Sequence, residues 1–272
     1  MPGGKGDRET TGDLRHCSGS YVEPMNLLPL VEEFARAAAH LSSPGALHAS
    51  LSLITSQLGF HYFALTHHVD MLHIGDEAVR LHNYPESWVE FFDRNRLGLS
   101  DPVHRASEHT NVGFAWSQVP RMINLTAGDH EILAHAREHG IGEGFTIPAH
   151  IPGEANGSVS FATIAGRPLP TEMLSAAQLA GAFAFEGARR LRRMRAPMLA
   201  IPKLTDRQRD CLIWVARGKS DWETSRIVDV SEETVIRHLK QARERYGVQK
   251  RTSLLIRTLF DGTISFADIF RR

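Results

Sequence analysis

Apolar positions along the chain change their spacing several times, and each change marks an element. Leu47, Leu51, Ile54 and Leu58 recur at i, i+4, i+7 and i+11, one face of a helix that Gly59 ends. The Ala-rich run from Pro29 to Leu41 predicts a helix before it. Residues 60–66 (FHYFALT) are short and aromatic, and residues 77–84 (EAVRLHNY) alternate, so both read as strands, the second stopped by Pro85. Residues 86–97 (ESWVEFFDRNRL) and 129–139 have helical spacing, the latter closed by Gly140, with a loop expected through Asp101 and Pro102. Residues 144–151 (GFTIPAHI) and 158–164 (SVSFATI) flank the turn-rich PGEANG and predict a hairpin. A long helix starts near Thr171, turns into the basic RRLRRMRAP and stops at Pro197.

From Leu204 the text resolves into four short helices. Thr205 with Gln208, and Ser220 with Glu223, each have the spacing of a capping box, and Ser231 is placed to cap a third helix with acidic residues in its first turn. Leu212, Val215 and Ala216 form the apolar stripe of the first, Trp222 and Ile227 lie on the second, and Val235, Leu239, Ala242 and Tyr246 share one face of the third. A short helix, a tight Asp229-Val230 link and a longer helix with a polar outer face is helix-turn-helix geometry, which lays the longer helix in the DNA major groove. Arg237, Lys240, Gln241 and Arg243 are the outward candidates for base or phosphate contact, with Lys219, Lys250 and Arg251 at helix starts or in loops for phosphates.

A length of 272 residues with 42% hydrophobic content suits two domains. The expected class is α+β: an N-terminal α/β/α sandwich sensor domain with a central antiparallel sheet, joined to a C-terminal all-α four-helix domain. The divisions read as a disordered tail over 1–24, a sensor and dimerisation domain over 25–195, a linker over 196–203 and a DNA-binding domain over 204–272. Zero formal charge conceals an asymmetry. From Arg189 onward there are 20 Lys and Arg against 10 Asp and Glu, while the preceding part holds 11 against 21, so double-stranded DNA suits the basic end.

The remaining chemistry is sparse. No apolar run reaches membrane-spanning length and the first residues lack a signal-peptide core, so a cytoplasmic protein without a membrane partner is expected. Cys17 and Cys211 read as free thiols. His67-His68 and the helical pair His135 and His139 lack a metal-site pattern and read as solvated histidines. No P-loop or nucleophile elbow occurs, so neither a cofactor nor an enzyme activity is expected.

The C-terminal segment resembles the DNA-binding domain of LuxR-type regulators: L-T-x-R at Leu204, W-x-A-x-G-K-S at Trp214 to Ser220, S-E-x-T-V-x-x-H at Ser231 to His238 and V-x-x-R at Val248 to Arg251. Gln208 stands where the family usually has Glu. Further upstream, Tyr84-Pro85, Trp88, Phe92, Asp101-Pro102, Trp116 and G-x-T-x-P at Gly144 to Pro148 form a series of amphiphilic side chains suited to an amphiphilic ligand. This series resembles the autoinducer-binding domain of quorum-sensing LuxR regulators, which recognise N-acyl-homoserine lactones. The resemblance implies that Trp88 donates to the lactone carbonyl, Tyr84 to the acyl carbonyl, Asp101 accepts from the amide N–H and Trp116 packs on the lactone ring. Thr146 and Ser160 continue the ligand site. Phe92 replaces the Tyr usual there and removes a hydroxyl. A homodimer is the expected functional unit, with the helix from Thr171 as its surface. A ligand-independent regulator and a partner that forms inactive heterodimers are the alternatives.

Overall fold

In the computed structural model, residues 27–68, 79–152, 154–195 and 201–270 are described. The tail over 1–24, with Cys17, and residues 196–200 of the expected linker lie outside them.

Helix α1 (Leu28–His40) and helix α2 (Pro44–Gln57) open the chain, the second capped by the Ser43 hydroxyl, which accepts from the Ala46 amide. Leu47, Leu51, Ile54 and Leu58 are all buried, as their spacing requires. Strand β1 (Tyr62–His67) then pairs with the short β2 (Arg80–His82). The alternation over 77–84 therefore yields only three paired residues, and positions 77 and 78 lie outside the described chain. Helix α3 (Glu86–Arg94) follows, then α4 (Pro102–Ser107), β3 (Phe114–Ala115), α5 (Val119–Met122) and α6 (Ala127–Glu138). The hairpin strands β4 (Ile141–Ala149) and β5 (Gly157–Ile164) lead to the 22-residue α7 (Leu174–Arg195).

All five strands are antiparallel, in the order β2-β1-β5-β4-β3. Alternation along β1 divides the two faces. Phe63, Leu65 and His67 are buried on one side, while Tyr62, Ala64 and Thr66 are half-buried on the other. The first face packs with Phe161, Val159 and Ile147 against α1, α2 and α7 in one continuous apolar core. Ala177, Ala180, Ala184 and Ala188 are among the buried residues of α7, and such small side chains let a helix lie close to a sheet. The opposite face carries two smaller clusters, one around Trp88, Leu97, Ala136 and Ile141, the other around Val103, Ala106, Phe114 and Val119.

Where a loop is expected through Asp101 and Pro102, and on to α6, four short elements form: α4, β3, a 3-10 turn (Trp116–Gln118) and α5. Each has six residues or fewer, too few for a period to repeat. Helix α4 had a start signal nonetheless, since Asp101 caps it and Pro102 occupies its first turn.

The C-terminal part folds around Cys211, Leu212, Val215, Val235, Leu239, Ala242, Tyr246, Leu254 and Ile264. Helices α8 (Asp206–Ala216), α9 (Asp221–Val228), α10 (Glu232–Arg245) and α11 (Arg251–Phe260) are the four expected, with both capping boxes formed and Ser231 accepting from the Thr234 amide. A fifth, α12 (Phe266–Phe270), corrects the count. Ser265 and Asp268 cap each other's backbone, and Arg209 of α8 and Arg217 at its C-terminal cap bind Asp268. Trp222 and Ile227 are exposed, and α9 buries Thr224 and Ser225 instead. Asp229 turns the chain with a left-handed φ of 54°.

Candidate ligand cavity and nucleic-acid interface

The sheet face turned away from α7 forms the floor of a cavity roofed by α3, α4 and α6, with about 740 Å³ of empty space including its mouth. Register explains why there is room. Ala64 lies opposite both His82 and Ser160, Ser160 opposite Thr146, and in the next row Ala162 opposite Tyr62 and Gly144. Ala64, Ser160, Ala162 and Gly144 thus give the central strands a run of small residues, with Tyr62 of β1 the large one they carry in these rows.

Trp116, in a 3-10 turn after β3, covers the β4 end of that floor. A Cβ on Gly144 would overlap its indole, so the glycine is needed for close approach. The Trp116 Nε1 donates to Thr146 Oγ1 at 2.8 Å, and Thr146 shares a 2.8 Å hydrogen bond with Ser160. Gly144, Thr146 and Ser160 together seat the ring. Thr146 itself is fully buried behind Trp116 and, unlike Ser160, does not line the cavity.

Tyr84, Trp88 and Phe92 form one wall. Trp88 and Phe92, one turn apart on α3, meet edge to face at 5.9 Å. The Asp101 carboxylate stands on another wall, where Oδ1 caps α4 by accepting from Val103 N (2.7 Å) and His104 N (3.1 Å). Its Oδ2, the Tyr84 hydroxyl and the Trp88 Nε1 make no hydrogen bond to the described residues, and none is sealed within packed protein. Burial, then the nearby Asp101 charge, raises the Tyr84 phenol above its ordinary range, so it keeps its proton and remains a donor. Two donors and one acceptor therefore converge on an apolar cavity, the arrangement a neutral amphiphile satisfies.

Several lining residues escaped the sequence reading: Ala64, Thr66, Arg80, His82 and His104. The period-two pattern that marks β2 already put Arg80, His82 and Tyr84 on one face, which was the available signal. Arg80 ion-pairs with Asp93 at 2.7 Å and stands over the Phe92 ring at 5.9 Å. His67 and His68 correct the expectation of solvated histidines, because both are buried. His68 stacks on His104 at 4.0 Å and shares a 2.8 Å hydrogen bond with Ser158. His135 and His139 lie against Phe91. Among the described residues, no three His, Cys, Asp or Glu side chains are grouped to hold a metal.

On the second domain's surface, Arg237, Lys240 and Gln241 project from α10. Lys240 lies only 3.9 Å from Glu244 across an exposed turn, a weak tie. Gln241 accepts at Oε1 from Nε2 of buried Gln208 at 3.2 Å. Arg243 is half-buried and donates to the Gln249 carbonyl, and Arg251 pairs with Asp221 at 2.6 Å, so these two are engaged within the domain. Lys219 pairs with Glu223, and Lys250 is exposed at the start of α11.

Residues 43–189 match the autoinducer binding domain, and residues 202–258 match the bacterial regulatory proteins of the luxR family. The HTH-type quorum sensing-dependent transcriptional regulator RpaR of Rhodopseudomonas palustris is 29% identical over 234 residues, covering 85% of this chain and 93% of its own. The transcriptional activator protein LuxR of Aliivibrio fischeri is 26% identical over 188 residues, covering 67% and 74%. The crystal structure of Escherichia coli SdiA shares the fold, with a TM-score of 0.63 at 21% identity over 87% of this chain and 98% of that one. No described helix is long and apolar enough to cross a membrane. With an autoinducer-binding half and a helix-turn-helix half in one chain, the protein belongs to the LuxR-type quorum-sensing transcriptional regulators.

Proposed function

We propose that the cavity binds an N-acyl-homoserine lactone and that occupancy governs DNA binding by a homodimer. The observation that carries this reading is the convergence of three polar tips without a hydrogen bond among the described residues, Tyr84 Oη, Trp88 Nε1 and Asp101 Oδ2, on one apolar cavity. A lactone carbonyl, an acyl carbonyl and the amide N–H between them are two acceptors and one donor, the complement of those tips. In this reading Trp88 serves the lactone carbonyl, Tyr84 the acyl carbonyl and Asp101 the amide. Trp116, immobilised by Thr146, packs on the lactone ring. Phe92 contributes only its ring. The division into a sensing part up to residue 195 and a DNA-binding part from 204 follows the same reading.

The exposed α10 side chains Arg237, Lys240 and Gln241 would enter the major groove, with Lys219 and Lys250 on phosphates. Arg243 and Arg251 hold the domain's own geometry in this scheme and reach DNA only by giving up their present partners. Leu179 and Phe183 are exposed on α7 and supply apolar area for the dimer contact.

Thermal unfolding of the full chain, with and without a panel of acyl-homoserine lactones, tests the reading. A concentration-dependent rise in Tm that Trp88→Ala removes supports it. Folded, DNA-binding protein whose Tm no lactone moves would favour a regulator that needs none.

A further inference from the structure

The β2 wall of the cavity has a polarity that the head-group contacts do not use. His82 lies opposite Ala64, which in turn lies opposite Ser160, so a ligand crossing the floor over Ala64 has the imidazole on one side and the Ser160 hydroxyl on the other. Adjacent strands are about 4.8 Å apart, which leaves a gap about two strands wide between those side chains. The imidazole makes no hydrogen bond among the described residues. Its Nδ1 is sealed in packed protein, whereas Nε2 is unbonded but not sealed, and the residue lines the cavity.

Burial, and then the Arg80 charge, hold His82 in its neutral form. A neutral ring offers at Nε2 either a proton or a lone pair, according to tautomer. A hydroxyl satisfies both, since it donates and accepts. Arg80, two residues away on the same face, stands opposite Thr66 and spends one N–H on Asp93, and its other N–H groups have no partner among the described residues. Both side chains line the same cavity as Tyr84 and Trp88.

Resting on the lactone reading above, we infer that the preferred ligand carries a hydroxylated acyl group whose hydroxyl bonds to His82 Nε2 beside the Arg80 guanidinium. A plain alkyl chain would leave the imidazole unpaired and cover it, which costs free energy that a hydroxyl avoids. The loss of a hydroxyl at Phe92 and the polar β2 wall act together: recognition shifts from the head of the ligand toward its acyl end.

The test is a comparison of matched pairs on the full-length protein by titration calorimetry: octanoyl- against ω-hydroxyoctanoyl-homoserine lactone, and phenylpropanoyl- against para-hydroxyphenylpropanoyl-homoserine lactone. In at least one pair the hydroxylated member binds about tenfold more tightly. His82→Phe brings that ratio to within about twofold, while His82→Asn, which keeps a donor and an acceptor, retains part of it. Equal or weaker binding of both hydroxylated members overturns the inference and leaves the lactone reading standing, as does a ratio that folded His82→Phe protein preserves. Should His82→Phe fail to fold, the wild-type ratio and His82→Asn decide. If none of the four lactones binds folded, DNA-competent protein, the lactone reading falls and the inference with it.

Discussion

Trp116 lies across Gly144 so closely that the glycine has no room for a methyl group. On the same face of the strand, Thr146 fixes the indole as well, its hydroxyl accepting the ring N–H. Gly144→Ala therefore drives the ring out of its seat, at about 1–3 kcal/mol of stability. Thermal unfolding should show that loss together with disappearance of any ligand-induced rise in Tm. Trp116→Phe removes the N–H and part of the ring but introduces no clash, and should retain more of the stability than Gly144→Ala.

Asp101 has two oxygens with separate tasks. One caps α4, and the other has no hydrogen bond among the described residues and stands beside the cavity. Asp101→Asn keeps a good cap and should leave apo stability within about 0.5 kcal/mol, while presenting an altered group to an amide N–H. Asp101→Ala loses the cap as well and should cost about 1 kcal/mol without ligand. A matched pair of apo and ligand-bound denaturation curves for the two variants separates these tasks. Equal apo stability of Asn and Ala variants would contradict the division.

Glu154 is buried under the last turns of α7, where both oxygens meet Arg189 at 2.8 Å, with Arg192 and Arg193 at 3.3 and 3.4 Å. Burial alone would raise its carboxyl, but the Arg189 hydrogen bonds and the three positive charges outweigh that and hold it below the ordinary range. Glu154→Gln leaves Arg189 underpaired and should cost about 3 kcal/mol, read from urea denaturation at neutral pH. The contribution is complete above the unfolded carboxyl value of about 4.5 and disappears as pH falls through the lower folded value. Wild-type and Gln curves should therefore converge in acid.

His68 is shielded by burial, and then by the neighbouring His104 and His150, so its folded value lies far below 6.5. The unfolded chain takes up a proton as pH drops below about 6.5 and the folded chain does not, so stability falls with decreasing pH from there. His68→Gln cannot take up that proton in either state. Its stability should change less between pH 7 and pH 5 than that of the wild type, whatever its absolute value. Parallel curves would assign the slope to other groups.

Arg237 and Lys240 project freely enough from α10 to meet phosphates or base edges. Replacing either with Ala should weaken operator binding without lowering Tm. If the lost contact is a phosphate, the slope of log K against log salt should shrink by about one. Arg251→Ala should instead lower Tm, because its guanidinium is tied to Asp221 at 2.6 Å.

Regular elements were legible wherever the pattern ran for two turns or five strand residues. The face carrying Leu47, Leu51, Ile54 and Leu58, the β4–β5 hairpin and the three capped helices from Thr205 onward were all readable. Helix α4 and strand β3 were not, since their formation depends on the Asp101 side chain and on pairing to Phe145 and Thr146, neither of which is periodic. Residues that lean on a family motif, such as Tyr84, Trp88 and Asp101, are visible in the sequence alone. Those peculiar to this chain, His82 and Arg80, needed the register of β2 against β1 to be seen as part of a wall. Thr146 shows the converse: its motif is visible, but its part is to hold Trp116 rather than to face the cavity.

The floor of small residues across β1, β5 and β4 sets the direction in which selectivity can evolve. Ala64, Ser160, Ala162 and Gly144 sit where three strands pair directly, so backbone hydrogen bonding at these positions does not depend on their side chains. A single added methyl at Ala64 shortens the space above it without disturbing the opposite core of Phe63 and Leu65. Receptors descended from this scaffold can thus diverge in signal molecule by one-carbon steps in the sheet, while the α8 to α12 bundle continues to address the same DNA. Gly144 is the exception, because its vacancy is already filled by an indole.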